Sequence, residues 1–126
     1  MPLPNITCLP QCYQVDEIFA HHLYEYVKGL RALILHTTSR GYEQEIVRRL
    51  QNQNIPYVIY PVNDHKINVF FGHQVCIDVV RKINKVSLRD YTDEEDFILG
   101  TMLGYDRVLQ CKRYLQLKED RDELIG

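Results

Sequence analysis

Hydrophobic and polar positions change period several times along this chain, and each change predicts an element. Residues 1–17 show no period; Pro2, Pro4 and Pro10 prevent regular pairing, so an irregular arm is expected. From Phe19 the pattern alternates, with His22, Tyr24 and Tyr26 on one side and His21, Leu23, Glu25 and Val27 on the other. Lys28-Gly29 then reads as a turn and residues 30–38 as an apolar second strand, so a β-hairpin is the expectation. A helix over residues 16–28, stopped by Gly29 at its C′ position, is the competing reading.

Ser39 caps an amphipathic helix in which Tyr42, Ile46, Val47 and Leu50 share a face, and Asn52-Gln53-Asn54 ends it. Two strands follow, 57–61 and 67–71, joined by a turn over Asn63-Asp64-His65 and stopped by Gly72. Residues 74–83 read as a short helix with Val75, Val79 and Ile83 inward. The segment 92–117 reads as one long helix, opened by a capping box of Thr92 and Glu95. Its run 97–109 is apolar nearly all round, which demands cover on more than one side. Gly100 and Gly104 fall on one face, each costing about 1 kcal/mol of helix propensity, and so predict a close approach by another backbone. The charged tail 119–126 is expected to fray. The order β-β-α-β-β-α-α predicts an α+β two-layer sandwich, an antiparallel sheet of about four strands with helices on one face, as a single domain over 18–118.

Composition narrows this little. The 126 residues are 45% hydrophobic and 25% charged with net charge −2, ordinary for a soluble globular domain. Scattered basic residues argue against nucleic acid as a partner, whose phosphates favour a basic face. No apolar run reaches membrane-span length and no signal pattern opens the chain, so a cytoplasmic protein is expected. Cys76 and Cys111 sit in apolar helical patterns, where a thiol acts as a small hydrophobe.

Candidate chemistry is sparse, and no catalytic constellation or cofactor motif can be drawn. Cys8, Cys12, His21 and His22 have the donor chemistry for a metal ion, yet a second ligand pair is missing and adjacent strand histidines diverge. Incidental thiols on an arm are the favoured account of Cys8 and Cys12. His36, Thr37 and Arg40, at a strand end before a helix start, are the candidate ligand pocket, with an anion as the natural guest. Helix capping alone also accounts for the hydroxyls there. On the long helix, Gly100, Leu103, Gly104, Arg107, Gln110 and Tyr114 form the candidate interface. Nine tyrosines and no tryptophan supply amphipathic anchors.

The strings HHLYEYVKGLRALILHT, INVFFG and EDFILGTMLGYDRVLQCKRYL resemble the signature segments of a small bacterial family of single-domain proteins of unknown function. The resemblance spans residues 19–118 and leaves out the arm with Cys8 and Cys12. It implies an α+β cytoplasmic domain and association with flavodoxin-like proteins, hence an electron-transfer accessory role. Together these readings point to a non-enzymatic binding or accessory domain that forms a homo-oligomer through the helix 92–117. A metal- or redox-linked protein using the histidines and cysteines is one alternative. A small enzyme with a pocket near His36, reaching Arg107 and Tyr114, is the other.

Overall fold

A computed structural model describes residues 16–125. Five helices and three strands follow in the order α1 (Glu17–Val27), β1 (Leu33–Ser39), α2 (Glu43–Asn52), β2 (Tyr57–Pro61), β3 (Lys66–Gly72), α3 (Gln74–Ile83), α4 (Asp93–Met102) and α5 (Arg107–Ile125). The sheet is antiparallel with β3 between β1 and β2. The α+β class therefore stands, with three strands in place of four.

The missing strand is α1. Residues 17–27 form the helix of the competing reading, because both of its ends are chemically specified. Asp16 caps the start by accepting from the Phe19 amide at 3.0 Å. At the other end Gly29 takes φ +78, and the Leu30 and Gly29 amides donate to the Glu25 and Tyr26 carbonyls, the double bond of a Schellman stop. The alternation of aromatic and polar residues that mimics a strand is mostly surface: only Phe19 and Leu23, four apart, are buried.

The sheet is covered on both faces, which corrects the two-layer expectation. Side chains alternate along each strand, so β3 sends Ile67, Val69 and Phe71 to one side and Phe70 to the other. The first side packs against Phe19 and Leu23 of α1 and Ile46 and Leu50 of α2. The second packs against Ile77 and Val80 of α3 and Leu99 and Leu103 at the end of α4. The apolar string INVFF is thus a centre strand buried on both faces.

Helix α3 has the expected bounds but a different inward face. Ile77 and Val80 are buried, Ile83 is half-buried, and Val75 and Val79 face solvent. After β1, Ser39 caps a short 3-10 turn over Arg40–Tyr42 rather than α2 itself, and Tyr42 stands at the α2 start without a side-chain cap.

The long helix 92–117 is two helices. Its start is as expected: Thr92 Oγ1 accepts from the Glu95 amide at 3.1 Å, and the Glu95 carboxylate accepts from the Thr92 amide at 2.9 Å. The chain then bends over residues 103–106. Gly104 takes φ +83 there, and open space surrounds the position its Cβ would fill, so the glycine serves the bend alone. Gly100 is crowded instead: a Cβ would collide with the side-chain amide of Gln110 on α5. The close approach predicted at Gly100 is real, but a side chain makes it. The charged tail continues α5 to Ile125.

Gly72 ends β3 at φ +149, with the Ala32 carbonyl and the Leu33 backbone against the place of a Cβ. Gly72→Ala therefore strains backbone on two strands. The expected result is a loss of about 2 kcal/mol or more in urea unfolding, and an unchanged midpoint would contradict this packing.

Candidate functional site

Two polar constellations join separate elements, and each begins with a carboxylate at a helix start. The first is Asp16. One carboxylate oxygen caps α1, and the other lies 2.7 Å from His36 Nε2 and accepts from Thr38 Oγ1 at 2.6 Å. An ionised carboxylate only accepts, so the His36 proton sits on Nε2. His36 is 5% exposed on the α1 side of β1, with the Phe19 ring at 6.0 Å and the His22 ring at 5.4 Å. Burial raises the Asp16 carboxyl, but its bonds from Thr38, His36 and the Phe19 amide outweigh that and hold it below the usual value. Burial likewise pushes the His22 imidazolium down, against the hydrogen bond it shares with Glu25. Glu25 also accepts from Arg31 at 3.4 Å, which joins the end of α1 to the chain entering β1.

The proposed ligand pocket divides accordingly. His36 faces α1. Thr37, the next residue on the strand, faces the other way and donates to Asn68 of β3 at 2.6 Å. A surface hollow of about 390 Å³ lies there, lined in part by Thr37, Asn68, Val62 and Leu88. Arg40 donates to the Asn63 carbonyl in the β2–β3 turn at 2.8 Å. The three residues thus take separate partners and do not converge on one guest. Arg107 and Tyr114 belong to α5, which packs on α4 against the opposite face of the sheet from His36.

The metal candidates separate as well. Cys8 and Cys12 lie outside the described residues. His21 is exposed beside Glu25 at 3.9 Å, whereas His22 turns towards His36. Among the described residues no group of three or more potential ligands is placed to hold a metal. Cys111, expected to be buried, is exposed on α5, and Cys76 is half-buried against the α3 side of the core, where burial raises its thiol.

The second constellation is the seam between α4 and α5. Asp96 takes two bonds from Arg113, at 2.8 and 3.0 Å. Glu94 accepts from Tyr114 at 2.8 Å and pairs with Lys118 at 2.7 Å. Asp93, 4% exposed, meets Arg121 at 2.6 Å and Lys118 at 3.8 Å. The Tyr114 ring packs edge-on to Phe97 with centroids 5.6 Å apart, and Gln110 lies buried over Gly100. Lys118 and Tyr114 pull the Glu94 carboxyl down to about 2.

Of the six residues expected to form an interface, Gly100, Gln110 and Tyr114 line this seam within one chain. Leu103 belongs to the core, Gly104 makes the bend, and Arg107 is exposed where α5 begins. Asp16, Asp93 and Arg121 escaped the sequence reading. A cap signal at Asp16 was there to find, but the Asp93–Arg121 pair spans 28 residues and leaves no spacing to read.

The model of a family described as a protein of unknown function, DUF2023, matches residues 17–117, and the chain belongs to that family. The match bears out the resemblance to a small family of unknown function. No curated protein matches the chain. Among the described residues no helix is long and apolar enough to cross a membrane.

The Asp16 tie makes the fold acid-sensitive. An acid held low when folded loses its stabilising contribution as pH falls from the unfolded value near 3.8 through the folded one. A base held low, as His22 is, costs stability as pH falls below 6.5, because the unfolded chain protonates first. Urea unfolding across pH is expected to show both slopes. Asp16→Asn should flatten the one below pH 3.8 and His22→Gln the one that starts at 6.5. At neutral pH Asp16→Ala should cost about 2 kcal/mol, from a lost cap and two stranded donors. Unaltered slopes in both variants would remove these residues from the account.

Proposed function

We propose that this chain is a non-enzymatic binding domain that self-associates through the α4–α5 hairpin. The observation that carries it is the position of α5. Among the described residues, this 19-residue helix places no side chain in either apolar cluster. It is attached by ion pairs, one tyrosine and one glutamine, while Val108, Leu109 and Leu115 stand 63%, 64% and 62% exposed. Leu124, Tyr105 and Ile98 of the same hairpin are exposed too. Exposed pairs such as Arg113–Asp96 contribute under about 1 kcal/mol each, too little alone to explain so long an appendage. A helix of this make-up gains most when another surface covers it.

The second copy of the chain is the partner this reading commits to. The acidic start of α4 and the basic stretch 107–118 of α5 are complementary to each other, and every copy carries both. The flavodoxin-like partner implied by the resemblance has no feature among the described residues that selects it, and the reading does not draw on it.

Light scattering coupled to size exclusion tests the reading. At roughly 10 μM, above a micromolar dissociation constant, the intact chain is expected at dimer mass or above. A chain stopped after Asp106 is expected at monomer mass with its cooperative unfolding retained. An intact chain that stays monomeric to roughly 100 μM would overturn the proposal.

A further inference from the structure

Among the described residues, every side-chain bond that α5 makes to another element ends on α4, and a second copy offers an identical α4. We infer that two copies exchange α5: residues 103–106 straighten, α4 and α5 run on as one helix, and each α5 lies on the α4 of the other copy. This rests on the self-association proposed above and specifies its form.

Three observations carry it. The first is what detachment of α5 uncovers. The two apolar clusters keep all their residues when α5 leaves, so what release gives up is the seam itself, including Tyr114 on Phe97 and Gln110 over Gly100. Release also costs Asp93 both of its cationic partners, Arg121 and Lys118, which sit on α5. Simple detachment is therefore disfavoured, whereas exchange returns an Arg121 and a Lys118 to every Asp93.

The second is symmetry. The seam pairs Gly100 with Gln110, Asp96 with Arg113, Glu94 with Tyr114 and Asp93 with Arg121, in an order that runs outward from the bend on both helices. Two straight helices crossing antiparallel near residue 105 form each of these pairs twice. That is the self-complementary pattern a two-fold dimer requires. Gly100, Gln110 and Tyr114 then lie at the contact between copies.

The third is the bend. Its backbone bonds are Gly104 N–H to the Thr101 carbonyl and Tyr105 N–H to the Gly100 carbonyl, both at 3.1 Å. Straightening replaces them with ordinary helical bonds. Gly104 at φ +83 is the residue that admits the bend, and its flanks, 97–103 and 107–118, are already helical or helix-capping. Short connections of this kind invite exchange between copies.

Two differently tagged chains, co-expressed and weighed by native mass spectrometry, test the exchange. One carries Glu94→Lys with Asp96→Arg, the other Arg113→Asp with Lys118→Glu. Each chain alone sets like charges against each other in its seam, and so does its dimer with itself. Only the mixed exchanged dimer matches both seams. Mixed dimers are expected in roughly tenfold excess over the two self-dimers together. A statistical mixture, with the unaltered protein still dimeric, would overturn the exchange and leave self-association standing. An unaltered protein that is monomeric would overturn both. Gly104→Ala supplies a check that does not depend on charge, because it disfavours the bend and favours continuous helix. It should raise the dimer fraction at fixed concentration, and a lowered fraction would contradict the exchange.

Discussion

The centre strand β3 presents apolar side chains to both faces of a sheet only three strands wide, and both faces must be kept from water. The rest of the architecture follows from that demand. Helices α1 and α2 close one face, α3 and α4 close the other, and the sheet is then fully served. Among the described residues α5 adds to neither cluster. Its all-round mixture of leucine, valine and charge is what a helix looks like when its own domain does not decide which side faces inward.

Polar contacts hold the pieces that apolar packing leaves loose. Asp16 joins the α1 start to β1 through His36 and Thr38, so one carboxylate both begins a helix and fixes its place on the sheet. Asp93 does the corresponding work at the α4 start, reaching α5 through Arg121. The two differ in their surroundings. Asp16 is backed by the Phe19 and Phe71 side of the core, so apolar packing as well as the carboxylate holds α1 on the sheet. Asp93 finds its cationic partners on α5, whose Tyr114 and Gln110 also rest on α4, so the hold on α5 is one that an identical α4 can supply.

Much of this was legible in the sequence where a signal was local. The Thr92–Glu95 capping box, the bounds of α3, the β2–β3 pair and its Asn63 turn all follow from residues within a few positions of each other. The errors arose where two local signals competed. Over residues 17–27, alternation spoke for a strand while Asp16 and Gly29 spoke for a helix, and the end signals were the sound ones. Over residues 103–106 an unbroken apolar run hid the bend, because Gly104 was read as a packing site instead of a stop. Val75 and Val79 were read inward because an i, i+4 stripe runs beside the true one at Ile77 and Val80. The candidate site was less legible still. His36 stands out in the sequence, but its partner lies 20 residues earlier, and strand alternation sends Thr37 to the other face.

The central claim is that α5 belongs energetically to a second copy more than to its own domain. Amide hydrogen exchange followed at several protein concentrations reads this directly, since it reports local opening element by element. Protection of α5 is expected to rise steeply with concentration while protection of β3 stays constant. If α5 is as protected as β3 at every concentration, the helix is held by its own chain and the claim is wrong.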